Sequence, residues 1–331
     1  MKTELQKAIL FYRDYVILSF FLGVVCFSCQ SRKERIINQI EVPFELIRFD
    51  QKFRDTTNFS IETLKQQYPY LFHVSVSDSI WEAKRTDEWF LKHQSQVNQI
   101  YQQTNDIEKE LRSLFQHIKY FFPKTQIPSK VIGLTNEVDY ETKVVYLDSI
   151  VLIALDSFLG HENELYQGIH NYMRPFMSQE YLVSSVAKEI ANKMVKPIQS
   201  RNFISKMIHR GKVLHVTETL LPKTPLKILF EYTDEQYQWA KQYEKLSWYY
   251  FIEKKLLYRT DMDLSKRFLH NAPYSKFYLE IDSDSSPRIG EYLGYQIVKS
   301  FIRKFPETTL GEIIEMKEEE LFILSNYKPP R

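Results

Sequence analysis

Glycine is scarce in this chain, with 8 in 331 residues, and that argues against glycine-rich phosphate loops and dinucleotide-binding fingerprints. An excess of charge of either sign is also missing. The 44 basic and 42 acidic residues leave a net +2, so no field draws in nucleic acid or an anionic bilayer. Cysteine occurs twice, at Cys26 and Cys29, too few for a metal cluster or a disulfide scaffold. The eight histidines are scattered and no two stand four apart. His161 and His170 flank an expected loop, with nothing to raise them above ordinary surface or core residues. What is present is 44% hydrophobic, 15% aromatic and 26% charged sequence, the profile of a packed globule rather than a disordered polypeptide.

The longest apolar run lies at the amino terminus. Lys2, Lys7 and Arg13 precede Tyr15 to Cys29, interrupted only by Ser19, Gly23 and Ser28. A spanning helix needs about 20 apolar residues, so these 15 suit a signal-peptide core better. The run ends Cys26-Phe27-Ser28-Cys29 and turns polar at once. A small residue before a cysteine at this point resembles a bacterial lipobox, although Cys26 and Phe27 depart from the stricter pattern. Residues 1–28 are therefore expected to be a lipoprotein signal peptide, with Cys29 acylated after cleavage and holding the protein at a membrane without spanning it. An uncleaved signal anchor is the plainer alternative. Cleavage would leave a mature protein of net charge +1 whose one thiol is acylated, as befits an oxidising envelope compartment.

Residues 29–43 read as a polar, lipid-anchored tether ending at Pro43, and 44–331 as one domain. From Ser60 to Phe122 apolar residues recur at helical spacing until Pro123. Val131 to Thr135 and Val144 to Leu155 are β-branched runs that read as two or three strands. Helical spacing returns from Gln179 onward. The expected fold is α+β: mostly helical, with a small β-sheet followed by a helical region.

Two helices carry the polar residues that stand out. The first, roughly Gln179 to Val195, has a core stripe of Leu182, Val183, Val186, Ala187, Ile190, Ala191 and Met194. Lys188, Glu189 and Asn192 share its other side, where a solvated polar face is the ordinary explanation. The second, roughly Asp234 to Tyr258, aligns Trp239, Tyr243, Leu246, Tyr250 and Leu257, with Glu253 on the same line. A carboxylate buried there must be paired, protonated or metal-bound. Farther on, Arg288, Gly290, Gly294 and Tyr295 belong to a segment expected to line a cleft. The two glycines, four apart, suggest close helix packing or close approach of a ligand.

Several stretches carry a resemblance: VYLDSIVLIALDSFLG (Val145 to Gly160), MIHRGKVLHVTETLLP (Met207 to Pro222), YTDEQYQWAKQYEKLSWYYFIEKKLLYRTD (Tyr232 to Asp261), RFLHNAPYSKFYLE (Arg267 to Glu280) and SPRIGEYLGYQIVKSF (Ser286 to Phe301). With the lipobox they resemble, in order, the GldB gliding-motility lipoproteins of the Bacteroidetes. The resemblance implies an envelope lipoprotein associated with gliding and the linked protein-secretion machinery. Its expected partners are the membrane, through acylated Cys29, and other motility or secretion proteins, with no nucleic acid. Gln30 favours the outer over the inner membrane.

The layout is more distantly similar to gluzincin-type zinc metallopeptidases. Those carry H-E-x-x-H on one helix, two imidazoles on zinc with the Glu as base, and a third ligand Glu on a later helix. The matching window here is Lys188-Glu189-Ile190-Ala191-Asn192, and Glu253 follows Glu189 by 64 residues. Neither histidine is present, so this likeness implies a degenerate scaffold without metal or cofactor, a pseudo-peptidase in which Lys188 neutralises Glu253. Two alternatives stay open: an active metal-dependent hydrolase with Glu189 as general base, and a structural protein whose cleft is filled by its own side chains.

Overall fold

The computed structural model describes residues 32–330. Four strands form its sheet: β1 (Glu45–Arg48), β2 (Lys130–Leu134), β3 (Val144–Tyr146) and β4 (Ile150–Ala154), in spatial order β1-β2-β4-β3. The first three neighbours run parallel, and β3 lies antiparallel at the edge beside β4. β2 and β4 are nearly unbroken apolar runs because both faces of the sheet are covered. Alternation still sorts them. Val131, Val151 and Ile153 face the main core, whereas Ile132, Leu134, Ile150 and Leu152 face a second cluster built on Phe49, Phe53, Phe72 and Phe90. These strands match the β-branched runs read from the sequence. β1 was not foreseen, since four residues, Glu-Leu-Ile-Arg, are too few to display a period.

Joining β1 to a parallel β2 requires a long crossover, filled by α1 (Phe49–Arg54), α2 (Ile61–Gln67), α3 (Asp78–Thr86), α4 (Glu88–Ile100) and α5 (Asn105–Phe121). Ser60 caps α2 by accepting from the Thr63 amide at 3.1 Å. After β4 come α6 (Leu182–Met194), α7 (Phe203–Leu220), α8 (Leu226–Phe230), α9 (Asp234–Gln242) and α10 (Glu244–Glu253). Then follow α11 (Met262–Phe268), α12 (Ile289–Lys304), α13 (Leu310–Glu315) and α14 (Glu318–Ser325). The chain is α+β and mostly helical, as expected.

The main core is organised by α7, which is buried around most of its circumference. It crosses α12 at Gly211 and Gly294, where backbone rests on backbone. A Cβ at Gly294 would fall inside the carbonyl of Met207, and one at Gly211 inside the carbonyl of Gly294. Lys212, fully buried in α7, donates to the Met316 carbonyl at 2.7 Å and pairs with Glu318 at 2.8 Å. That pair ties the start of α14 to the central helix.

Two expectations need correction. The stretch ending at Pro43 does not hang free as a tether over its described part. Residues 32–38 are helical, Ile37 and Val42 are buried, and Gln116 of α5 donates to the carbonyls of Asn38 and Ile40, both at 3.1 Å. The supposed long helix from Asp234 to Tyr258 breaks at Tyr243 and ends at Glu253. The signal-peptide boundary and Cys29 lie outside the described residues. No helix among the described residues is long and apolar enough to cross a membrane.

Candidate functional site

Helix α6 turns its apolar stripe into the core and its other side toward a cleft of about 410 Å³ beside the edge strand. Lys188, Glu189 and Asn192 reach this cleft together, as their shared helical face requires, and Arg288 joins them from the start of α12. Lys143 comes from the approach to β3, Arg210 from α7, and Glu231 and Glu291 from α8 and α12.

Two backbone outliers hold the centre together. Glu231 ends α8 at φ 49° and Arg288 precedes α12 at φ 52°, both in the left-handed region. Such conformations cost about 1 kcal/mol or more for a residue with a Cβ and persist where surroundings over-determine them. Here the two residues bind one another. Arg288 Nη1 donates to Glu231 Oε2 at 3.2 Å and to Asn271 Oδ1 at 2.7 Å. Its Nη2 donates to the carbonyls of Phe230 and, at 3.0 Å, Glu231. Lys188 Nζ then stands 3.6 Å from Glu231 and 3.4 Å from Glu291.

The carboxyls answer to these cations. Burial pushes Glu231 up, but Lys188, Lys143 and Arg288 outweigh it and hold it at about 2. Glu291 is subject to the same opposition: burial raises it, while Lys188, Arg288 and Arg210 leave it below its ordinary value. The Lys143 ammonium is pushed down by burial and by its neighbours Lys188 and Arg288, despite Glu231. Burial, with Arg210 beside it, also lowers His270 at the rim.

Glu253 is elsewhere. Its side chain is 76% exposed, 3.6 Å from Lys254, so it forms no pair with Lys188. The buried side of α10 is Glu244, Ser247, Trp248 and Phe251, one residue on from the expected stripe, which leaves Leu246 exposed and Trp239, Tyr243 and Tyr250 half-buried. Trp239, Tyr243, Leu246 and Tyr250 therefore line a separate shallow groove with Glu253 at its edge. The carboxylate that α10 does bury is Glu244, raised by burial although the Tyr327 and Tyr292 hydroxyls donate to it at 2.7 and 3.1 Å. Gly290, Gly294 and Tyr295 likewise do not line the cleft. Gly294 is spent on the crossing with α7, a Cβ on Gly290 would meet the Phe268 carbonyl at 2.9 Å, and Tyr295 is buried against Phe230 at 5.3 Å.

Sequence reasoning missed Lys143, Arg210, Glu231 and Glu291. The one local signal was Glu291 itself, an acid inside the otherwise apolar first turns of α12. The residues present do not fit a peptidase-type zinc. Where imidazoles would donate stand an ammonium and an amide, and both central carboxylates already face cations. Among the described residues no group of three or more His, Cys, Asp or Glu is placed to hold a metal ion.

No curated protein and no solved structure matches this protein. The family model described as gliding motility protein GldB matches residues 30–329, a span that takes in the sheet, the cleft and every helix named above. The chain belongs to the GldB family of gliding-motility proteins.

Proposed function

We propose that this protein is a lipid-anchored, non-catalytic component of the gliding-motility and associated secretion machinery, acting by binding a peptide or partner-protein segment in the α6 cleft. Membership of the GldB family supports the motility role. The lipobox-like Ser28-Cys29 after a short apolar run supports acylation at Cys29 and a place in a cell-envelope membrane, facing the periplasm. A peptidase-like scaffold is supported by the order of parts: a small mixed sheet, then a helix whose Lys188-Glu189 and Asn192 open on a cleft beside the edge strand.

The observation that carries the non-catalytic reading is Lys188. Its ammonium lies between Glu231 and Glu291, so the two carboxylates serve as structural counter-ions and are not free to ligate or to take up a proton near neutral pH. Complementation of a strain lacking the protein tests this. Glu189→Gln should restore motility or secretion as well as wild type, and Cys29→Ala should fail while losing acyl labelling. Loss of function in Glu189→Gln, together with stoichiometric metal and chelator-sensitive peptidase activity in purified protein, would establish the hydrolase alternative instead.

A further inference from the structure

The cleft is lined by four cations and four carboxylates, and they do not all pair. Lys143, Lys188, Arg210 and Arg288 converge around Glu231 and Glu291. Lys188 and Arg288 account for both acids. Lys143 and Arg210 line the same cavity yet form no ion pair with any described residue, and Glu141 and Glu189, which also reach the cavity, do not pair with them. Arg288 adds a second sign of incompleteness: its side chain is 6% exposed, and its Nε has no hydrogen-bond partner, standing 3.7 Å from the nearest Glu291 oxygen. Partly desolvated cations held together repel one another, and an anion entering between them relieves that repulsion.

We propose that this cleft is a receptor for a carboxylate carried by a polypeptide, either an acidic side chain or a free C-terminus, seated between Lys143 and Arg210. The proposal rests on the peptide-binding reading above and names the chemistry that the peptide must bring. A guanidinium takes a carboxylate in a two-pronged, charge-assisted contact, and Arg210 is the cleft guanidinium not already engaged. A volume of about 410 Å³ is within the range of sites that hold a small ligand or one side chain of a peptide, and the Asn192 amide in the same lining offers hydrogen bonds to peptide groups. Burial is the main cause of the downward push on Lys143, Lys188 and Arg288 add to it, and a bound anion would oppose it.

Calorimetric titration of the full-length protein in detergent tests the proposal with four probes: a capped peptide containing one glutamate, its glutamine counterpart, a neutral peptide with a free C-terminus, and inorganic phosphate. The glutamate peptide, the free-C-terminus peptide or both should bind at least tenfold more tightly than the glutamine peptide, and more weakly as salt rises. Arg210→Gln and Lys143→Met should each weaken that binding at least tenfold, whereas Lys124→Gln, in the exposed turn after α5, should not. Should one variant misfold, the other together with the salt dependence of the wild type carries the result. Equal binding of glutamate and glutamine peptides overturns the carboxylate receptor and leaves peptide binding standing. Phosphate binding without either acidic peptide also overturns it. Binding of no probe overturns both readings.

Discussion

At Lys188 one ammonium decides what two carboxylates can do. Removing it in Lys188→Met leaves Glu231 and Glu291 facing Arg288, Lys143 and Arg210. The cost should be about 2–3 kcal/mol, below the roughly 3–5 seen when an isolated buried pair loses a partner, and denaturant titration measures it. Glu231 gives the pH dependence. Its folded carboxyl is held at about 2, below the ordinary 4.5, so its contribution is complete above 4.5 and is lost as pH falls toward 2. Glu231→Gln should therefore be less stable than wild type at pH 7, and the gap should close as both are acidified through that window. Glu253→Gln, by contrast, should shift stability by no more than about 0.5 kcal/mol, because an exposed carboxylate is solvated in both states. A melting difference larger than that would show that the residue is engaged.

At the scale of elements, periodicity made α6 legible, down to the shared face of Lys188, Glu189 and Asn192. It misled at α9 and α10. The 4-3-4 spacing of Trp239, Tyr243, Leu246 and Tyr250 suggested one long helix with a buried stripe, yet Tyr243 caps α9, and α10 buries the neighbouring line of Glu244, Ser247, Trp248 and Phe251. Glu244, the acid that is really buried, lies at that break, where spacing carries no information about direction. The glycine pair Gly290 and Gly294 had two readings, packing or ligand approach, and tertiary contact selects packing. Gly294→Ala should cost about 3 kcal/mol or more, at the upper end for overpacking, since the added Cβ collides with the Met207 backbone and not with a side chain that could move. A calorimetric melting temperature within a degree of wild type would contradict that crossing geometry.

For the whole molecule, the packing of residues 32–42 changes how the proposed anchor is joined to the domain. Ile37 and Val42 are buried and Gln116 holds the backbone between them, so the folded body begins about three residues after Cys29. Three residues span at most about 10 Å, which keeps the domain close to any membrane that the acyl chains enter. Deleting residues 30–43 should cost about 3–6 kcal/mol, from two buried apolar side chains at about 1.5–3 kcal/mol each. A free tether would be lost without penalty. Protease treatment of membranes bearing the native protein should likewise leave residues 32–42 uncut.

The sequence by itself determined the class of the molecule: mostly helical α+β, the two apolar strands, the polar face of α6 and the likeness to GldB. Each depends on short-range spacing or on local order along the polypeptide, and such information survives without contacts. Only the tertiary structure decided that Lys188 meets Glu231 and Glu291 rather than Glu253, and that Lys143 and Arg210 share its cleft. Those residues lie on separate elements, and the charge of a cleft is a sum over groups that only folding brings within a few ångströms.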